Sequence, residues 1–437
     1  MLISALLYGI IQDILFEIVR NLKVDFHGID MNILIFAANW NNRGDESAVR
    51  ALIDELKIRY WNCSIRIHYN QNVKTFPYND IEIIGPIVKP SKKHIINYFG
   101  YQIYKYSNGE KNFTIGVLHE NIKKFINAVK WADFAIYAPG GPSIGNHYKQ
   151  YYLVDMMKIL YNHNVPYFIF APSFGPFNRY KNYISQYLNQ ALYICVREEL
   201  SKKYLQEIGV KNAEVTLDAA FQHKISFPEE QKILLLDSDL SSFLSMHKDK
   251  VIGLTITDLL WRFNDAELSD NIFSIFSSFI NTYSSQGYYF LFIPQIFDVN
   301  YGGEKEIINK LTNSNTYCLN NNYDCYFQQY IISQLHCVIG MRYHSNIFSA
   351  KMKTPFISIA YEHKMEGFME KAKLSQYCIN INDFTYKNLD EKFILMESNY
   401  NKYKNFLIQE NNLLVNESKR TMERLSRVID HLNIEND

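Results

Sequence analysis

The sequence predicts an α/β protein of two Rossmann-like domains facing each other across a cleft. Three observations predict it. Short apolar runs recur along the 437-residue chain, each bounded by polar or glycine-containing turns, as strands buried in a parallel sheet require. Several of these runs lead into helical patterns, and such alternation builds a parallel sheet. A charged, weakly patterned stretch at residues 224–250 separates two such sets, and a chain of this length exceeds one ordinary core.

The elements follow in order. Residues 1–30 read as a helical extension. Met1–Arg20 is apolar apart from Asp13, Glu17 and Arg20, with Leu6, Ile10, Ile14 and Ile18 at helical spacing. It lacks a basic start and a small-residue cleavage site, so it is a poor secretory signal. Its uncharged run is too short to span a membrane. The expected amphipathic helix packs on the protein or lies on a membrane surface.

Residues 31–225 are expected to form the first domain. Asn32–Ala37 is a strand, followed by the loop Asn39–Glu46 and a helix from Ser47 to Lys57. Residues 61–130 show no clear alternation beyond a helix at Asn121–Lys130. Strand Phe134–Ala138 ends in Pro139-Gly-Gly-Pro-Ser143 and precedes a helix over Tyr151–Tyr161. Tyr167–Ala171 is a strand, and Tyr193–Val196 is another, ending in Arg197. A helix starts near Glu198, and Glu214–Leu217 is a short strand closed by Asp218.

Residues 226–385 are expected to form the second domain, with strands at Val251–Ile256, Tyr288–Ile293, Cys337–Gly340 and Pro355–Ile359. Residues 386–437 are helical. Leu407, Leu414, Leu425 and Leu432 suggest one long surface helix with one face on the body.

Composition narrows the function. Lys+Arg and Asp+Glu are both 45, which argues against a general nucleic-acid binder. Tyrosine (33) and phenylalanine (29) are abundant, and they are read mainly as core. The six cysteines form no C-x-x-C and no zinc spacing, so they are read as reduced, buried thiols of a cytoplasmic protein. No metal or other cofactor is expected.

Four constellations carry chemistry. Asn39, Gly44 and Asp45 lie on a glycine loop opening a helix, where amides and a carboxylate can meet a ligand or simply cap the helix. Gly140, Gly141 and Ser143 follow a strand, as a ligand cradle or a tight turn. Arg197 ends a buried strand, which is costly unless it meets an anion; Asp218 and a substrate are both candidates. Arg342 and His344 are placed in the loop after one strand and Lys364 just after the next. In an open α/β sheet ligands bind at strand carboxyl ends. Arginine forks a carboxylate, lysine offers a point charge to phosphate, and histidine moves a proton.

These residues resemble the polysaccharide pyruvyl transferase family, from about Met31 to Phe368. The matching segments occur in order: Asn39…Gly44-Asp45-Glu46, Pro139–Ser143, Ser173-Phe-Gly-Pro176, Val196-Arg-Glu198, Leu217-Asp218, Ile339-Gly-Met-Arg342-Tyr-His344 and Tyr361-Glu-His-Lys364. The resemblance implies a GT-B-like fold and transfer of the enolpyruvyl group of phosphoenolpyruvate onto a saccharide acceptor, which can be lipid-linked. It implies that Arg197, Arg342 and Lys364 hold the donor, that His344 is the general acid/base, and that Asn39, Gly44 and Asp45 line the acceptor side. An implied location is the cytoplasm, at the inner face of the plasma membrane. Departures are Gln295 where the family often shows histidine, the proline before the two glycines, and Glu198 where aspartate is common. The alternative is a GT-B glycosyltransferase using a sugar nucleotide.

Overall fold

The computed structural model describes residues 30–40, 42–73, 75–87, 120–141, 143–146, 148–296 and 304–434. The expectation of an amphipathic helix near the amino end falls outside them.

The first sheet contains β1 (Asn32–Ala38), β2 (Ser64–Tyr69), β3 (Glu82–Ile84), β4 (Phe134–Tyr137), β5 (Tyr167–Phe170), β6 (Tyr193–Val196) and β7 (Ala213–Val215). Its order is β3-β2-β1-β4-β5-β6-β7. The second contains β8 (Val251–Thr255), β9 (Tyr289–Phe292), β10 (Thr316–Cys318), β11 (Cys337–Gly340), β12 (Phe356–Ala360) and β13 (Cys378–Asn380). Its order is β10-β9-β8-β11-β12-β13. The central pairs are parallel, with Ile33 opposite Phe134 across β1 and β4, and Ile252 opposite Cys337 across β8 and β11. Each sheet therefore reverses its winding beside its first strand, between β1 and β4 and between β8 and β11. Those two switch points are where crevices open above the strand ends.

Helices cover both faces because the strands are apolar on both sides. Val251–Thr255 and Phe356–Ala360 are buried along their whole length. Residues 61–130 conceal β2 and the edge strand β3, and their apolar pattern is broken by Arg66 and Glu82, which pair across the two strands at 2.8 Å. The stretch 224–250 holds two helices, Phe227–Leu236 and Ser238–Met246. The reading of all thiols as buried also needs correcting. Cys318 is exposed, because it ends the edge strand β10.

The carboxyl-terminal helix runs from Tyr400 to Ile434 and does more than cover one face. Tyr403, Leu407 and Leu414 join the core of the second sheet, while Met422, Leu425 and Ile429 join the core of the first. Between them Ser418 donates to the Asp218 carbonyl at 2.6 Å. One helix thus ties the two halves together.

Candidate active site

A cavity of about 250 Å³ opens between the two sheets. Its walls are built from segments that leave the strand ends around the two switch points. From the first half come Asn39 after β1, Asn70 and Gln71 after β2, and Gly141, Ser143, Tyr148 and Gln150 after β4. From the second come Trp261 after β8, Gln295 after β9, Arg342, Tyr343 and His344 after β11, and Tyr361 and Lys364 after β12.

Arg342 is the N-cap of helix Tyr343–Met352, and His344 lies in its first turn rather than in a loop. Lys364 likewise sits in the first turn of helix His363–Lys371. The helices start here because β11 and β12 have ended and their last residues turn toward the cleft. Neither N-cap makes a side-chain capping bond. Two helix amino ends therefore face the cleft with positive dipole ends.

Each cationic group has a carboxylate beside it. Arg342 Nε donates to Glu304 Oε1 at 2.7 Å, while Glu304 Oε2 accepts the amides of Gln295 and Ile296. Arg342 is only 8 % exposed, and its Nη2 has no partner. Lys364 Nζ lies 2.6 Å from Glu362 Oε2. Burial pushes the Glu362 carboxyl up, but Lys364 and Arg262 hold it below its ordinary value. His344 Nε2 lies 3.4 Å from Asp218 Oδ2. That contact is an ion-pair approach without hydrogen-bond alignment, since the same nitrogen is buried and unpaired. Burial pushes the Asp218 carboxyl up as well, and His344 and Arg197 hold it far below the usual carboxylate range.

The opposite wall is amide-rich. Asn42 accepts from the Asp45 amide at 2.7 Å and donates to Asp45 Oδ2 at 2.8 Å, so this pair caps helix Arg43–Arg59. Asp45 belongs to this amino-end cap and also lines the cavity. Asn39 donates to Ser143 and accepts from Asn70 at 3.0 Å.

Three expected contact residues do not line the cavity. Arg197 is 2 % exposed and lies one layer back. Its Nε donates to Ser173, Nη1 to Asp218 at 2.6 Å, and Nη2 to the Gly141 carbonyl at 2.8 Å. Every arm of the guanidinium is occupied, which makes it a brace rather than an open anion fork. A Cβ on Gly44 would fall 1.9 Å from His344 Nδ1, and one on Gly140 would fall 3.0 Å from Asp45 Oδ1. These glycines make room for the His344 and Asp45 side chains of the cavity wall. Glu198 accepts from Ser173 and Ser201 and stitches the loops behind the site.

Residues given no role in the sequence reading are Asn42, Asn70, Tyr148 and Trp261 on the walls and the carboxylate Glu304 behind Arg342; Tyr361 and Glu362 entered only as part of the Tyr361–Lys364 segment. Trp261 and Asn70 carry no local signal, because their contacts depend on neighbouring strands. Among the described residues, no group of three His, Cys, Asp or Glu is arranged to hold a metal ion.

The fold has known relatives. The UDP-GlcNAc 2-epimerase of Neisseria meningitidis, solved with UDP-GlcNAc, is 12% identical and aligns over 91% of this chain and 100% of its own, with a TM-score of 0.53. A UGT transferase of Siraitia grosvenorii in complex with UDP is 10% identical over 92% and 99%, with a TM-score of 0.51. The α,α-trehalose 6-phosphate synthase of Burkholderia multivorans is 9% identical over 92% and 99%, with a TM-score of 0.52. At such identities the likeness is one of fold, and the fold is GT-B. No curated protein matches the chain. The family model for polysaccharide pyruvyl transferases matches residues 29–363, most of the chain. The chain therefore belongs to the polysaccharide pyruvyl transferase family.

Proposed function

We propose that the protein transfers the enolpyruvyl carbons of phosphoenolpyruvate onto two hydroxyls of a sugar, in a cell-surface polysaccharide or its lipid-linked precursor. The products are a cyclic pyruvate ketal and phosphate. The observation that carries this reading is the half-empty Arg342 guanidinium beside His344 and Lys364, at two uncapped helix amino ends. A small, multiply charged anion fits that wall.

The steps follow from the residue types. His344 delivers a proton to the methylene carbon of the donor, leaving an oxocarbenium centre at C2. A sugar hydroxyl on the amide wall attacks C2 and loses its proton. The C2–O bond to phosphate then breaks, with Arg342 and Lys364 stabilising the departing charge. A second hydroxyl closes the ring. Of the two hydroxyl protons lost, one replaces the proton given to carbon and the other leaves with phosphate. Asn39, Asp45 and Ser143 offer acceptors and donors to the sugar, and Trp261 offers an apolar face.

The donor places the protein in the cytoplasm, at the inner membrane face when the acceptor is lipid-linked. Among the described residues, no helix is long and apolar enough to cross a membrane.

The test is phosphate release from phosphoenolpyruvate with a panel of β-galactosyl, glucosyl and N-acetylmannosaminyl acceptors, for wild type and His344→Ala. The expected result is release that needs an acceptor and disappears in the variant. No release with any sugar, combined with thermal stabilisation by a sugar nucleotide but not by phosphoenolpyruvate, would favour a glycosyltransferase.

A further inference from the structure

His344 stands at the end of the second sheet, yet the groups that set its orientation belong to the first half. Asp218 presents Oδ2 to His344 Nε2 at 3.4 Å. That carboxylate is 1 % exposed and cannot swing away. Arg197 Nη1 binds Oδ2 at 2.6 Å, the Ala220 amide binds Oδ1 at 2.9 Å, and Ser418 holds the Asp218 carbonyl. With Nε2 buried toward Asp218, the other nitrogen is the one left to meet a ligand.

Gly44 packs beside the ring near Nδ1. A Cβ there would lie 1.9 Å from Nδ1, 2.1 Å from Cγ and 2.5 Å from Cβ of His344. The glycine has no left-handed backbone to justify it, since it sits in the first turn of helix Arg43–Arg59. Within a helix alanine is ordinarily favoured over glycine, because glycine loses more backbone freedom on folding. Space for the imidazole is the physical reason for a glycine here.

We propose that Asp218 and Gly44 are positioning residues for His344: the buried Asp218 carboxylate faces the Nε2 edge at 3.4 Å and favours hydrogen on that nitrogen, Gly44 leaves room for the ring, and Nδ1 exchanges the proton with the substrate. The inference rests on the reading in which His344 carries that proton. It also makes the proton carrier complete only when the two halves meet.

Two experiments test it. The first is a double-mutant cycle read by thermal unfolding. Gly44→Ala is expected to lower Tm in the wild-type background and to leave it unchanged or raise it in a His344→Gly background, where both the ring and the Cβ that the new methyl would meet are gone. An equal shift in both backgrounds overturns the role of Gly44. The second compares wild type with Asp218→Asn in 15N-histidine NMR spectra, with the His344 signal assigned by its loss in His344→Ala. The expected neutral form in wild type carries hydrogen on Nε2, and the variant changes the tautomer ratio. A wild-type ring protonated on Nδ1, or identical spectra, overturns the role of Asp218.

Turnover adds a third reading. Asp218→Asn is expected to lower kcat by at least about tenfold while the KM for phosphoenolpyruvate stays within about threefold. A raised KM with unchanged kcat would make Asp218 part of the donor site instead. If the wild-type protein does not consume phosphoenolpyruvate at all, the proposed reaction fails, while the thermal cycle and the spectra still decide the positioning.

Discussion

Arg197 and Arg342 both emerge beyond a strand end, one in each half. Each follows a strand of its sheet, β6 in one and β11 in the other, and each is almost fully buried. Their partners differ. Each nitrogen of Arg197 has a partner, in Ser173, Asp218 and the Gly141 carbonyl, so three of its five donors are engaged. Arg342 binds Glu304 through Nε, lies beside Tyr361, and keeps a buried Nη2 without a hydrogen-bond partner. A buried guanidinium has five donors in a fixed fork, and the number already filled separates a brace from a ligand site. The half that braces also carries the amide wall, and the half that keeps its fork open carries the cations.

The largest expected effect breaks the brace. Arg197→Ala strands the Asp218 carboxylate and is expected to cost about 3–5 kcal/mol in denaturant unfolding, the cost of removing one member of a buried pair. Unchanged stability with a raised KM for phosphoenolpyruvate would mean that Arg197 is a donor ligand after all.

Arg342→Ala tests the other side. It is expected to lower kcat/KM for phosphoenolpyruvate by about 10²–10³-fold, as loss of a preorganised donor does, with a smaller loss of stability than Arg197→Ala. Glu304 keeps its two amide donors in that variant. Arg342→Lys should recover only part of the rate, because an ammonium cannot fork a carboxylate. Equal stability losses at both arginines would erase the distinction.

Lys364→Ala is expected to act mainly on the KM for phosphoenolpyruvate, by roughly tenfold, the scale of one hydrogen bond to a charged group. Its contact with Glu362 competes for the same charge, so Glu362→Gln should shift KM the opposite way.

The smallest effect concerns pH and the helix that joins the halves. Burial pushes the Glu214 carboxyl up, but hydrogen bonds from Arg424, Tyr193 and Arg420 hold it down at about 2. The folded value lies below the unfolded one, so this clamp contributes stability above pH 4.5 and loses it progressively as pH falls toward 2. Glu214→Gln should flatten that part of the stability curve. An acid limb identical to wild type would show that the carboxyl-terminal helix is held by its apolar face alone.

Much of the site was legible because strand ends are legible. Arg342, His344, Lys364, Asn39, Asp45, Gly141 and Ser143 were picked as polar or glycine residues following apolar runs, and all seven line one cavity. Gly44, Gly140 and Arg197 carried the same local signal and lie behind it. The difference cannot be read from spacing, because a glycine that clears space for a ligand and one that clears space for an imidazole look alike in sequence. β2 and β3 were hidden for a related reason: Arg66 and Glu82 neutralise each other across the two outermost strands, and charges there break the apolar pattern.

The sequence by itself determined the alternation of strands and helices and the residues that emerge at strand ends, because burial of short apolar runs is a local, periodic property. Only the tertiary structure decided what those residues do. Asp218 and His344 lie in different halves, as do Gly44 and the ring it accommodates, and the partners of Arg197 come from three separate loops. Whether a buried charge is spent or left open depends on how many donors and acceptors packing brings within hydrogen-bond reach, and that count exists only after the two halves have met.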